Sequence, residues 1–165
     1  MQITISLSDQ TLTLDSRAGR FVYPVSSALN GAGERHGSGC TPRGRHLVRA
    51  RFGAGLPAAA VFQGRRFTGE RWTAELASAH PGRDWMLSRI LWLGGLEPGR
   101  NQGGDVDSFR RFIYIHGTAD SEPMGEPASH GCIRMRNADV IDLFERVPVA
   151  TPVTIIEAPA ARPTD

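Results

Sequence analysis

Alternation of apolar and polar residues over the first 25 positions is the feature that most constrains the fold. Successive side chains of a β-strand point to opposite faces, so a period of two is typical of strands with one buried face. Polar segments, SDQ and DSRAGR, separate three such runs and are typical of turns. The chain is therefore predicted to begin as β-strands. The apolar members of the runs are Ile3, Ile5, Leu7, Leu12, Leu14, Phe21, Tyr23 and Val25.

Four later segments also predict strands. HLVRARFG alternates in the same way, and MLSRILWLGGL, which is apolar nearly throughout, favours a strand because Gly94 and Gly95 end it abruptly. RRFIYIHG is rich in β-branched and aromatic residues and carries His116 at its carboxyl end. TPVTIIE is predicted to form the last strand.

One helix is predicted late in the chain. Asn137 is a good N-cap residue, and Pro148 is expected to end the helix. The sequence as a whole therefore predicts a mainly β fold with one late helix. The apolar stripe of the predicted helix is formed, at helical spacing, by Val140, Leu143, Phe144 and Val147.

Length and composition indicate one folded domain. The chain has 165 residues, of which 40% are hydrophobic and 22% charged, and this length suffices to bury a large core. We expect a domain over residues 1–157 and a flexible tail over residues 158–165. The net charge of +2 is small and dispersed, which argues against a nucleic-acid partner. The basic residues are all Arg, so neither a Ser-Lys dyad nor a Schiff base is possible.

The amino-terminal segment MQITISLSDQTLTL has neither a basic region followed by an apolar run nor a membrane-spanning stretch. The expected location is therefore the cytoplasm if Met1 is the native start, or the periplasm if a signal segment has been removed, and no membrane partner is expected. Cys40 and Cys132 are expected to be free thiols rather than a disulfide.

The segment SHGCIRM, residues 129–135, carries the candidate chemistry. A thiol becomes a nucleophile when a neighbouring base favours the thiolate, and His116 is the candidate base for Cys132. A backbone carbonyl near Gly117 could hold the histidine tautomer, with Asp120 and Glu122 as weaker candidates. Gly131 permits a tight turn that would aim backbone N–H groups at a developing oxyanion.

Other interpretations of the same residues remain open. Arg134 could present its planar guanidinium to a substrate carboxylate. Cys132 could also be an inert buried thiol. A zinc site formed by His116, His130 and Cys132 is a third possibility, with His36 or His46 as the fourth ligand, although the spacing lacks the paired motif of strong zinc sites.

The segment IHGTADSEPMGEPASHGCIRMRNADVIDLFERV, residues 115–147, resembles the active-site signature of the L,D-transpeptidase catalytic domain, the YkuD family. In that family an upstream His is followed by a Ser/Thr-His-Gly-Cys element. ISLSDQTLTL, YPVSSALNG and CTPRGRHLV are similar to the family's opening strands and Thr-Pro-x-Gly turn, so the resemblance covers nearly the whole chain. It implies a mixed β-sandwich with the nucleophile at one end of a cleft.

The resemblance also implies residue roles. Cys132 would be the nucleophile and His116 its general base, while His130, with the backbone of Gly131 and Cys132, would shape the oxyanion site. Ser129 occupies the Ser/Thr position, where a structural role is expected, and is assigned with Arg134 to the substrate-binding side of the site. Neither a cofactor nor a metal is needed for this chemistry.

The implied reaction is cleavage of the L,D peptide bond of a peptidoglycan stem tetrapeptide, with release of D-Ala and a thioester on Cys132. Because no signal segment is recognised, we expect soluble muropeptides as substrates and water as the acceptor, which is L,D-carboxypeptidase activity in recycling. The alternatives are an amine acceptor, giving cross-links or D-amino-acid exchange, and a noncatalytic muropeptide-binding module. Carbapenems are expected to acylate Cys132.

Overall fold

The computed structural model describes residues 1–159, which form one mixed sheet of ten strands with two helices and a short 3-10 turn at Gly104–Val106. The prediction of a mainly β fold with one main, late helix is confirmed. The strands are β1 (Gln2–Ser6), β2 (Thr11–Ser16), β3 (Gly19–Pro24), β4 (Gly44–Phe52), β5 (Ala60–Gln63), β6 (Arg66–Arg71), β7 (Met86–Gly95), β8 (Tyr114–Gly117), β9 (Ile133–Met135) and β10 (Pro152–Ile156). The helices are α1 (Ala74–Ala79) and α2 (Asn137–Arg146).

The last strand lies in the middle of the sheet. The strand order is β3-β2-β1-β10-β4-β7-β5-β6, and β1 and β10 are parallel with Ile3 beside Val153. The antiparallel partner of β10 is β4. The first and last strands of the described residues are therefore neighbours in the interior of the sheet.

Among the described strands, β7 pairs with the most neighbours, and its burial explains its unusual sequence. It pairs with β4, β5 and β8, and nearly all of its ten residues are buried. A strand covered on both faces has no need of polar alternation, which is why MLSRILWLGGL reads as one apolar run. The prediction of a strand ending at Gly94 and Gly95 is confirmed.

The strand that carries His116 is shorter than the sequence predicts. Residues 110–112 of RRFIYIHG belong to a turn, in which the Phe112 N–H donates to the Phe109 carbonyl and Phe112 adopts a φ of 57°. That left-handed conformation is unfavourable for a bulky residue and cannot continue a strand. Strand β8 begins only at Tyr114 and pairs in parallel with β9.

Helix α2 covers the sheet with the predicted stripe. Val140, Leu143 and Phe144 are buried and join the main core, whose strand residues include Ile115 and Ile133. Such a stripe holds a helix to a sheet by removing apolar surface from water.

The prediction of Asn137 as N-cap is wrong, because Arg136 caps the helix by position and Asn137 is its first residue. The Asn137 side chain is instead buried, where it accepts from Ser88 Oγ and donates to the Thr118 carbonyl.

The sequence prediction missed helix α1. It is a single short helix, and the Thr73 hydroxyl caps it by accepting from the Leu76 N–H at 3.0 Å.

The predicted carboxyl-terminal tail is described only in part. Ser6 Oγ donates to the Ala158 carbonyl, and residues 160–165 lie outside the described residues. Within residues 1–159 the helices are too short to cross a bilayer.

Candidate active site

Strand pairing brings the candidate catalytic residues to one face. In the parallel β8–β9 pair, Ile115 lies beside Ile133 and both point into the core. The alternate positions therefore point the other way. They line a cleft of about 240 Å³. The four side chains are Tyr114 and His116 from β8, with Cys132 and Arg134 from the β9 side.

The Cys132 thiol is held by backbone groups. Its Sγ lies 3.4 Å from the Tyr114 N–H, which donates to it, and 3.3 Å from the Phe112 carbonyl, to which the thiol donates. Removal from water disfavours the thiolate and raises the pKa of Cys132 to about 11, although the Tyr114 N–H opposes this shift. The Cys132 side chain is therefore a neutral thiol whose proton is directed at a carbonyl.

His116 has one nitrogen fixed and the other unbound. Its Nδ1 lies 2.7 Å from the Gly117 carbonyl, which can only accept, so Nδ1 carries the proton. Burial lowers the pKa of His116, and the imidazole is neutral. No hydrogen bond among residues 1–159 engages Nε2, although the ring lines the cleft. The predicted carbonyl near Gly117 is thus found, and Nε2 has a lone pair for general-base work.

Burial favours the neutral form of both His116 and Cys132, so the site stores neither a thiolate nor an imidazolium. Chemistry at this thiol would need its proton to be removed during attack, and a neutral imidazole is a group that can accept it as a general base.

The loop before Cys132 is shaped by two hydroxyl groups. Ser129 Oγ donates to the Cys132 carbonyl at 2.6 Å and accepts from the Gly131 N–H at 3.2 Å. Thr41 Oγ1 donates to the Gly131 carbonyl at 2.9 Å. The φ of Gly131 is 134°, a conformation that glycine adopts readily. Because the Gly131 N–H is engaged, the Cys132 N–H is the better candidate for the oxyanion.

Arg134 is buried in the wall of the same cleft, beside two carboxylates. Its Nη2 lies 3.1 Å from Asp84 Oδ1, and its Nη1 lies 3.9 Å from Glu122 Oε2. The Ala128 carbonyl accepts from Nη1 at 3.3 Å. Arg134 is thus at the predicted site, but two carboxylates already compete for its charge.

The His130 side chain lies at the exposed rim of the cleft that Cys132 lines. Its side chain is 80% exposed, and Nδ1 is 3.9 Å from Asp84 Oδ2. It stands between the first cleft and a second of about 300 Å³, which His36 and Arg111 also line and which opens on the same Cys132. The loop over the second cleft is held by Arg111, which donates to the Gly33, Glu34 and Cys40 carbonyls.

Three residues that line the clefts were not predicted from the sequence, and others lie elsewhere than expected. Asp84, Arg111 and Tyr114 line the clefts, and of these only Tyr114 carried a signal, because it lies two positions before His116 on the same strand face. Asp120 does not hold His116, because its carboxylate accepts from the Asn137 N–H. His46 is fully buried against Ser108, away from both clefts.

The zinc interpretation finds no ligand set in the described part of the chain. Within residues 1–159, no three His, Cys, Asp or Glu side chains come together in a way that could hold a metal ion. Cys40 and Cys132 are both free.

A histidine with a free nitrogen and a cysteine on one cleft of a mixed β fold are typical of the cysteine acyltransferase and peptidase class. The chain belongs to the YkuD family, the L,D-transpeptidase catalytic domain, whose sequence profile matches residues 1–155. The resemblance drawn from the sequence is therefore confirmed.

Two curated relatives match about a third of the chain. YbiS of Escherichia coli strain K12, named as a probable L,D-transpeptidase, is 46% identical over 55 residues, which are 33% of this chain and 18% of the relative. YkuD of Bacillus subtilis strain 168, named in the same class, is 43% identical over 61 residues, or 34% of this chain and 37% of the relative. The matched stretches thus span well under half of either relative.

Solved structures show that the fold is shared over nearly the whole chain. The superposition with an L,D-transpeptidase from Xylanimonas cellulosilytica covers 93% of this chain and 59% of that protein's chain, with a TM-score of 0.52 and 21% identity. The superposition with L,D-transpeptidase 3 from Mycobacterium tuberculosis, solved with a faropenem-derived adduct, covers 93% of this chain and 58% of that protein's chain. The TM-score is 0.56 and the identity 16%.

Proposed function

We propose that this protein cleaves stem tetrapeptides of peptidoglycan at the carbonyl of the third residue, through a thioester on Cys132. The observation that carries the proposal is the shared cleft of His116 and Cys132, in which Nδ1 is fixed by the Gly117 carbonyl and Nε2 is left for the thiol proton. Membership of the family and the L,D-transpeptidase names of the relatives support the choice of substrate.

The first half-reaction follows from the resting contacts. In the resting state the thiol proton is directed at the Phe112 carbonyl. It passes from Sγ to His116 Nε2 while Sγ bonds to the substrate carbonyl carbon. The oxygen of that carbonyl becomes an oxyanion, which the Cys132 N–H can stabilise. The carbon–nitrogen bond then breaks, and the histidine returns the proton to the departing D-Ala amine. The enzyme is left as a neutral thioester with a neutral histidine.

Two acceptors can complete the reaction. Water needs no binding site, and hydrolysis would return a tripeptide, as the sequence predicts. An amine needs room beside the thioester, and the second cleft of about 300 Å³ at Cys132 supplies it. This cleft is the specific reason to keep cross-linking or D-amino-acid exchange as a second candidate function. Hydrolysis suits muropeptide recycling in the cytoplasm, whereas cross-linking suits the periplasm.

The deciding experiment is mass spectrometry of a disaccharide tetrapeptide incubated with the protein, with and without excess D-methionine. Loss of D-Ala to give tripeptide alone would support hydrolysis, and a D-methionine adduct or dimers would support an amine acceptor. The Cys132→Ala variant should give none of these products, and the Cys40→Ser variant should behave as the wild type. Product formation by Cys132→Ala would refute the assignment of the nucleophile.

Carbapenem acylation provides a separate test of the nucleophile. The wild type should gain the mass of one imipenem molecule, and Cys132→Ala should not. A noncatalytic binding module would gain no mass at all, whichever cysteine is present.

A further inference from the structure

The backbone groups that hold the Cys132 thiol belong to one short segment, residues 112–114. The thiol donates to the Phe112 carbonyl, and Sγ accepts from the Tyr114 N–H. Phe112 is 52% exposed and has a φ of 57°, a conformation that a bulky residue keeps only where surrounding contacts enforce it. The place of Sγ therefore depends on what holds Phe112 and Tyr114.

One side chain, Arg65, contacts both of these residues. Its Nη1 donates to the Tyr114 hydroxyl at 2.9 Å, and its Cζ lies 5.4 Å from the centre of the Phe112 ring. Cζ also lies 4.4 Å from the centre of the Trp92 ring, which packs edge-on against Tyr114. A guanidinium within about 6 Å of a ring centre is attracted to the face of the ring. Arg65 thus joins the two residues whose backbone groups hold the thiol.

Trp92 extends these contacts to the start of the turn that carries Phe112. Its ring is stacked on Phe109 with the ring centres 3.8 Å apart, and Nε1 donates to the Phe109 carbonyl at 3.0 Å. The Phe112 N–H donates to the same carbonyl. The guanidinium of Arg65, the indole and the turn therefore form one connected set.

The backbone of Arg65 is a second and independent observation. Gly64 and Arg65 connect β5 to β6 with φ values of 52° and 67°. Gly and Asn are favoured at such hairpin positions, so an arginine there makes the turn itself less stable. Among residues 1–159 the guanidinium has Tyr114, Trp92 and Phe112 as partners, and none of them is a carboxylate. These contacts, rather than the hairpin or an ion pair, account for the side chain.

We propose that Arg65 is a positioning residue for the Cys132 thiol, because it fixes Phe112 and Tyr114 relative to each other and so aims Sγ into the cleft. The inference rests on the proposed function, since the thiol that Arg65 places is the one assigned as the nucleophile. Arg65 itself touches neither the thiol nor His116.

Labelling of Cys132 with iodoacetamide, in a Cys40→Ser background, tests the placement without a substrate. Removal from water is the main cause that raises the pKa of Cys132, and it outweighs the opposing Tyr114 N–H. Release of residues 112–114 should expose the thiol to water and lower its pKa. Arg65→Met, which keeps the apolar stem, should therefore be labelled about tenfold faster than the wild type at pH 7.

Two arginine variants are the matched controls. Arg51 also lies over a ring, that of Phe144 at 4.0 Å, but lines neither cleft at Cys132. Arg66 is the exposed neighbour of Arg65 on the same hairpin. Arg51→Met and Arg66→Met should be labelled at the wild-type rate where circular dichroism shows each variant to be folded. Loss of a cation–ring contact or of a positive charge would then not explain the change in Arg65→Met.

Steady-state kinetics with a tetrapeptide measures the consequence for attack. Arg65→Met should lower kcat about tenfold and change KM by less than about threefold, because a misplaced nucleophile slows the chemical step more than it weakens binding. Tyr114→Phe, which removes the hydroxyl that Arg65 binds, should lower kcat less and add little in the double variant with Arg65→Met. Arg51→Met and Arg66→Met should keep the wild-type kcat.

Unchanged or slower labelling of Arg65→Met would overturn the inference, as would an equal increase in Arg51→Met or fully additive losses in the double variant. If the wild type cleaves no tetrapeptide while Arg65→Met alone is labelled faster, the proposed function fails and the placement of the thiol by Arg65 stands.

Discussion

Two buried histidines, His46 and His116, share the same kind of partner at Nδ1 and differ at Nε2. Each has Nδ1 bonded to a backbone carbonyl, at 3.0 Å from Gly44 and 2.7 Å from Gly117, and burial lowers the pKa of each ring. The Nε2 of His46 is bonded to Ser108 Oγ at 2.8 Å, whereas that of His116 makes no hydrogen bond among residues 1–159.

The difference shows what separates a structural histidine from a candidate base. Burial and a fixed tautomer are common to both rings, so neither property identifies catalysis. The distinguishing property is a second nitrogen that is left unbound on a ring lining the same cleft as a cysteine thiol. His46 is therefore an internal control for His116.

The largest expected effect comes from exchanging each ring for an amide. His116→Gln should lower kcat for tetrapeptide cleavage by roughly 10²- to 10⁴-fold, because the thiol loses its proton acceptor. His46→Gln should retain the activity of the wild type per folded molecule. Steady-state kinetics at a temperature where both variants are folded checks this, and equal losses in the two variants would break the comparison.

The second effect is on stability in mild acid. The pKa of His46 is about 4 in the folded protein and near 6.5 when exposed, so below pH 6.5 the unfolded chain binds a proton that the native ring excludes. The free energy of unfolding should therefore fall as the pH decreases from 6.5 to 4, by about 3 kcal/mol for His46.

Urea unfolding at pH 7, 6 and 5, above the range in which most carboxylates titrate, measures this slope. His46→Gln should flatten the slope in part, and the remainder should disappear in the double variant with His116→Gln, because burial lowers the pKa of both rings. His80→Gln, on an exposed residue, is the matched control. An unchanged slope in His46→Gln would show that its ring is not the group that titrates.

A third effect concerns the Cys132 thiol, which shares a cleft with His116 but not with His46. A pKa of about 11 leaves roughly a hundredfold less thiolate at pH 7 than an unperturbed pKa of 9.0. In a Cys40→Ser background, iodoacetamide should therefore label Cys132 roughly 10- to 100-fold more slowly than a cysteine peptide. The rate should increase with pH towards 11, and fast labelling with a plateau below pH 8 would reveal a preformed thiolate instead.

The smallest expected effect concerns the hydrogen bond between Ser108 and His46 Nε2. Ser108→Ala would leave the buried Nε2 of His46 without its partner, as that of His116 is, and should cost about 1–3 kcal/mol in the free energy of unfolding. Activity should stay unchanged, because no nucleophile lies beside His46. Ser121→Ala, on an exposed residue, is the control, and chemical denaturation at pH 7 gives the difference.

Much of the fold could be predicted because alternation reports burial directly. Strands β1 and β2 have Ile3, Ile5, Leu12 and Leu14 buried, as their spacing predicts. The start of β8 could not be predicted in this way. Apolar and aromatic content favours a strand through Phe112, but turn hydrogen bonds hold that residue in a left-handed conformation.

The site could be predicted only where its residues are close in sequence or share a known signature. Cys132 and His116 satisfied both the chemical pattern and the family resemblance. Asp84 could not be found, because it follows helix α1 and reaches Arg134 only through the packing of distant segments. Its contribution depends on tertiary contacts, which no local pattern records.

The central position of β10 has a consequence for the order in which the chain folds as it is made. Strands β1 to β3 adjoin the other half of the sheet only through β10, which consists of residues 152–156. During synthesis the amino-terminal hairpins must therefore wait, with one strand edge unpaired, until nearly the whole domain has left the ribosome. We expect release of the last strand, rather than closure of any hairpin, to be the moment at which the domain becomes resistant to protease.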